Sequence, residues 1–387
     1  MKRRTFLTGA LAALTVPTAA QSHSHAAAAK PAPRPALAIN VALGADGRLW
    51  RVRHGAEGVL VDFSDDWGER FSPAMLASPE HPAADGELAP EIAVGKGGAI
   101  YVAYTLARSH NPIIGHVRLV HSLDGGRSFT PAATVNDNLE EITHRFQSLV
   151  VDAGGVAHLI WIDKRDLEAA KRARKPYRGA AVYYARSDGV HIGANRKIAD
   201  HSCECCRLAL ALDTDGVPVA LWRHVFEDGS RDHALARLDG SSARRATFEG
   251  WRIDACPHHG PALAIGSDGT RHLAWYTAAG NDARILYQAQ ERDGRPLAPP
   301  RRLGGGQAGF PALLAIGTGV ILAWKEFDGS ATRAFVQHAS GGWSPPASVA
   351  SSRGPSDRPR LVAHGGRAFL SWNTRDEGHR LLPLAIP

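Results

Sequence analysis

FQSLVVDAGGVAHLIW, residues 146–161, is the stretch whose reading decides the fold. Two short apolar runs flank an Asp/Gly turn, and the second ends in tryptophan. Neither run reaches helical length, so the unit reads as two strands joined by a hairpin. The pattern recurs as APEIAVGKGGAIYVAY (89–104), RLALALDTDGVPVALW (207–222), GPALAIGSDGTRHLAW (260–275), FPALLAIGTGVILAW (310–324) and RPRLVAHGGRAFLSW (358–372). A weaker first copy, ALAINVALGADGRLWRV, covers 36–52. Copies stand roughly fifty to sixty residues apart, the length of a four-stranded propeller blade. Each unit has room for a third strand, such as ARILYQAQE (283–291), and a fourth, such as PRRLG (300–304). The expected fold class is therefore all-β: a seven-bladed β-propeller of four-stranded blades, with six blades and a terminal strand pair as the alternative. The last blade is expected to use Leu381 to Ile386 and to close with a strand borrowed from near Pro31–Pro35, which removes an open sheet edge. Trp161, Trp222, Trp275, Trp324 and Trp372 are expected to wedge between blades.

Two units also carry Ser-x-Asp-x-Gly-x-x-Phe, as Ser64 to Phe71 and Ser122 to Phe129, and Arg186-Ser187-Asp188-Gly189 reads as a decayed third copy. The pattern resembles the Asp-box of the sialidase-like propeller superfamily. The resemblance implies a tight hairpin in which Asp accepts backbone N–H bonds and Gly takes positive φ. It implies architecture and not activity, since such boxes recur across unrelated functions. A working sialidase of this type would also carry Arg-Ile-Pro, an arginine triad and a Tyr/Glu nucleophile pair. No Arg-Ile-Pro occurs, and no triad can be singled out from Arg53, Arg145, Arg165 and Arg223. Asp163 and Asp166 read more simply as partners of Lys164 and Arg165 than as catalytic acids. Sialidase-like glycoside hydrolysis therefore stands as an alternative by fold analogy.

Chemistry concentrates in a patch that occurs twice, His201-Ser202-Cys203-Glu204-Cys205-Cys206 and Cys256-Pro257-His258-His259. The two align without a gap, carrying Cys203 onto Cys256, Cys205 onto His258 and Cys206 onto His259. All four cysteines of the chain lie in them. Aligning blade three on its Gly turn and tryptophan places His144 at the position of Cys205, and blade two places Glu87 there. Each patch directly precedes an innermost strand, so both are expected on the face where the chain enters the blades, near the axis. Thiolate with imidazole selects copper(I) or zinc over magnesium or calcium. The candidate ligands are Cys203, Cys205, Cys206, Cys256, His258, His259 and His144, from blades three to five. Copper is the first expectation and zinc the second. Two disulfides, one joining Cys203 to Cys256, are the competing reading for an exported chain; a disulfide-stapled scaffold that binds a partner would follow from it. Thiol redox chemistry at Cys205-Cys206 is a third.

The chain opens Lys2-Arg3-Arg4-Thr5-Phe6-Leu7, then an apolar stretch to Val16 and Pro17-Thr18-Ala19-Ala20. This order resembles a twin-arginine signal peptide over residues 1–20, and its apolar run is too short to span a bilayer. The resemblance implies export of a folded protein to the periplasm. Residues 21–35, rich in Ala, Pro and His, read as a flexible linker, and 36–387 as the propeller. Removing Lys2, Arg3 and Arg4 lowers the formal charge from +7 to +4. With no basic block interleaved with aromatics, nucleic acid is not an expected partner. The expected partners are a metal ion and a periplasmic protein that accepts it, with no membrane span in the mature chain.

Overall fold

The computed structural model describes residues 37–83, 88–108, 111, 113–255 and 257–385. It forms seven antiparallel sheets arranged as a seven-bladed propeller, six of four strands and one of three among the described residues. The innermost strands are Ile39–Leu43, Glu91–Val94, His144–Val151, Ala209–Leu212, Ala262–Ile265, Ala308–Ile316 and Arg360–His364. Each packs against the next, and the last packs against the first, so the ring closes. The expected seven blades are present, and the six-blade alternative is excluded. Blade seven ends in Gly378–Leu384, a strand that begins before the expected Leu381. The expected closing segment, Pro31–Pro35, lies outside the described residues.

Side-chain period explains the layering. In the second strand of blade three, Ala157–Asp163, every residue is buried because both sheet faces are covered by neighbouring blades. The five repeat tryptophans sit in buried clusters that cross blade boundaries. Trp161 clusters with Tyr101 and Val117 of blade two, Trp222 with Ile160 and Ile162 of blade three, and Trp275 with Val219 and Leu221 of blade four. Trp324 clusters with Ile285 of blade five and Trp372 with Ala323 of blade six. Burying one indole contributes about 5 kcal/mol of transfer free energy before entropy is counted.

The turns separate the two faces. In the hairpin after Gly58–Ser64, Asp66 accepts the Arg70 N–H at 2.9 Å, and Gly68 takes φ 89. In the matching hairpin of blade two, Asp124 accepts the Ser128 N–H at 3.0 Å, and the Gly126 N–H donates to Ser122 Oγ at 2.8 Å. These hairpins join third and fourth strands. The entries to innermost strands and the second-to-third connections lie at the opposite face. One such connection, in blade three, holds an α-helix, Arg165–Arg172, which the repeat pattern did not announce. No helix among the described residues is long and apolar enough to cross a membrane.

Candidate metal centre

Cys203, Cys205 and Cys206 occupy the connection between the outermost strand of blade three, Arg196–Ser202, and the innermost strand of blade four. Two features fix its path. His201 adopts a left-handed φ of 63, which bends the chain, and its carbonyl accepts the Val225 N–H at 2.7 Å. The Cys203 N–H donates to the Arg223 carbonyl at 2.9 Å. The crossover is thus tied to the end of the second strand of blade four, Pro218–Arg223. A turn at Glu204-Cys205 then folds the three side chains together.

Cys203 Sγ lies 3.7 Å from Cys205 Sγ and 3.7 Å from Cys206 Sγ, and all three sulfurs fall within 4.8 Å of one another. All three are buried, free thiols. A disulfide requires about 2.05 Å between sulfurs. Two sulfurs each about 2.3 Å from one tetrahedral ion stand about 3.8 Å apart. The observed spacing is that of neighbouring ligands, not of a bridge.

Charge around the triad favours an anion at Cys203. Arg231 Nη1 approaches its sulfur at 3.6 Å and also donates to the Ala255 carbonyl at 3.2 Å. The fully buried Arg223 stands close by, its own Nη1 held by the Arg231 carbonyl at 2.9 Å. Hydrogen bonds from Cys205 and Cys206 hold the Cys203 thiol far below its ordinary value, burial opposing and Arg223 assisting. The same sharing, with burial, pushes Cys205 and Cys206 up. The three sulfurs thus share their protons, with Cys203 the one whose charged form is favoured. Cys203 borders a cavity of about 390 Å³ with Arg178, Glu204, Arg231, Asp254 and Ala255. Glu204 is ion-paired to Lys164, which precedes the helix of the neighbouring blade.

The remaining sequence candidates lie elsewhere or cannot be placed. Cys256 lies outside the described residues, as does Glu87. Among the described residues, the group of donors within reach of one ion holds the three cysteines and no histidine. His144 is fully buried at the start of its strand, with Nδ1 2.9 Å from the Gly115 carbonyl and Nε2 3.7 Å from Asp163 Oδ1. His258 is exposed, at a left-handed φ of 53. His259 packs between Tyr276 and Phe310, with ring centroids 4.1 and 4.6 Å away, and burial pushes it down to about 3. His201 and His224 face each other at 6.5 Å beside a separate cavity. Asp163 and Asp166 are engaged structurally: Asp163 with Arg165 at 2.8 Å, and Asp166 with Tyr183 Oη at 2.9 Å and Lys197 at 3.1 Å. Sequence reasoning missed Arg231 and the Lys164–Glu204 pair. The one signal for Arg231 is its loop, which follows the second strand of the blade that the cysteines enter.

No family model matches this chain, and no curated protein matches it. Its fold is similar to that of solved structures. One is a PL25 ulvan lyase bound to -[GlcA(1-4)Rha3S]-, 8% identical, covering 91% of this chain and 94% of that one, with a TM-score of 0.54. Another is a protein of unknown function from Dyadobacter fermentans, 14% identical over 76% of this chain and 92% of that one, TM-score 0.52. A Hadza microbial sialidase is 16% identical over 74% of this chain and 63% of its own, TM-score 0.44. At these identities the first two likenesses show a shared propeller fold alone.

Proposed function

We propose that this protein binds one thiophilic metal ion, copper(I) first and zinc second, through Cys203, Cys205 and Cys206. The observation that carries the reading is three buried sulfurs, mutually within one ion's span, on a fold that does not need a metal to form its core. A soft all-sulfur set suits a closed-shell thiophilic ion and offers nothing to a hard cation. A three-sulfur set also matches copper(I) better than structural zinc, which takes four ligands. Cys203 borders the cavity, so the site is suited to buffering the ion or handing it to an accepting protein. On this reading the leader, which resembles a twin-arginine signal, would carry the folded chain with its ion to the periplasm.

The test is elemental analysis of the purified full chain after copper(I) or zinc loading and dialysis, with a free-thiol count before and after a chelator. One ion per chain, lost in Cys205→Ser, with the triad thiols becoming reactive when the ion is removed, is the expected result. A chain that retains no ion after loading overturns the proposal.

A further inference from the structure

The axial channel carries a second concentration of charge. It encloses about 280 Å³ and is walled by the innermost strands, with Arg207, Arg358, Arg360, Glu91 and Asn40 in the wall. Arg207 leads into blade four, whereas Arg358 and Arg360 lead into blade seven, so the guanidiniums come from different sectors of the ring. Arg360 is 9% exposed, and none of its Nε, Nη1 and Nη2 atoms has a hydrogen-bond partner among the described residues. A guanidinium offers five N–H donors and keeps its charge.

The neighbouring acids do not satisfy it. Glu91 accepts from Arg358 Nη2 at 2.8 Å with one oxygen and from Asn40 Nδ2 at 2.6 Å with the other. Asp357 accepts the Arg358 N–H at 2.7 Å and the Ile39 N–H at 3.4 Å. Both carboxylates attract Arg360 through space, while Arg358 and Arg207 repel it. Among the described residues the buried Arg360 fork thus stands beside Arg358 and Arg207 with no acceptor of its own. Such a fork is costly unless an anion supplies its acceptors. Burial accordingly pushes Arg360 down to about 10.

We infer that the channel binds a small tetrahedral oxyanion, sulfate or phosphate, gripped by the Arg360 fork with Arg207 supplying the second charge. Guanidinium forks pair with oxyanions through two parallel N–H···O bonds. A tetrahedral anion also presents oxygens toward both sectors at once, which a planar acid group does not.

The test measures the unfolding midpoint of the full, metal-free chain in sodium sulfate, sodium phosphate, sodium acetate and sodium chloride at equal ionic strength. Isothermal titration of sulfate and phosphate accompanies it. Sulfate or phosphate is expected to raise the midpoint above that in chloride and acetate, with one anion per chain. Arg360→Gln is expected to weaken that binding at least tenfold, whereas Arg302→Gln, an exposed arginine of blade five, leaves it unchanged. If Arg360→Gln does not fold, Arg360→Lys, which keeps the charge and loses the fork, takes its place and is expected to weaken binding as well. Equal stabilisation by chloride, or unchanged anion affinity in the folded Arg360 variant, overturns the inference.

Discussion

The pH dependence of metal affinity reports the proton inventory of the triad directly. Each sulfur must be a thiolate to bind, so every thiol still protonated in the apo protein releases one proton on loading. Cys203 is held below its ordinary value by its two thiol donors, whereas Cys205 and Cys206 are pushed up. With Cys203 as the one thiolate, the apo triad is expected to hold two protons between pH 6 and 8, and loading to release two. Apparent affinity should then fall about 100-fold per unit of pH decrease, or about 10⁴-fold from pH 8 to pH 6. Three ordinary thiols would give about 1000-fold per unit over the same window. The measurement is competition against a chelator of known proton affinity, carried out in Cys256→Ser so that the triad alone is titrated. Calorimetry in buffers of different ionisation enthalpy counts the protons independently. Release of three protons would show that Cys203 is not the resident thiolate. Release of one or none would show that fewer than three sulfurs bind the ion, and the coordination proposed for the triad would fall.

Other outcomes follow from the same structure. Because the Cys203 value is depressed on folding, the unfolded chain binds one proton more than the folded chain below the ordinary thiol value near 9.0. Apo stability should accordingly rise by about 1 kcal/mol per pH unit between pH 7 and 8, flatten above pH 8 as Cys205 and Cys206 ionise in the unfolded chain, and fall as pH is lowered. Chemical denaturation across that window checks this, and the slope should vanish in Cys203→Ser. Below pH 6.5 the loss should steepen, since burial holds His224 near 4 and His259 near 3, and the unfolded chain protonates both. His144→Ala should leave metal stoichiometry unchanged, because its ring faces Gly115 and Asp163 and not the sulfurs; elemental analysis beside Cys205→Ser separates the two. Gly126→Ala should destabilise the fold by about 1–3 kcal/mol, seen as a lower urea midpoint. That glycine holds φ 83, and an added Cβ would stand 2.7 Å from Trp50. Trp222→Ala should cost about 3–5 kcal/mol, measured the same way, because the indole is fully buried between two blades.

The parts of this molecule written in local sequence were the parts that could be read from it. A Gly turn followed by an apolar run to tryptophan fixes two strands and a packing wedge within sixteen residues, and its recurrence sets the blade count. The cysteine triad is local in the same sense: Cys203 to Cys206 converge because one turn folds them together. The attempt to extend the site by repeat register asked for something different. Equivalent positions in adjacent blades are related by rotation about the axis, and facing sheets stand about 10 Å apart. Matching register therefore distributes side chains around the ring and does not by itself bring their donor atoms within the span of one ion. His144 illustrates this, for its repeat position matches Cys205 while its ring is buried against Gly115 of blade two and Asp163 of its own blade. Convergence across sectors needs reach, which arginine has. Arg231 crosses from the second-to-third connection of blade four to Cys203, and Arg360 shares the channel with Arg207 of a distant blade. Neither was legible among 45 basic residues. The residues that tune the candidate site are those whose position depends on how the ring closes, which no single repeat records.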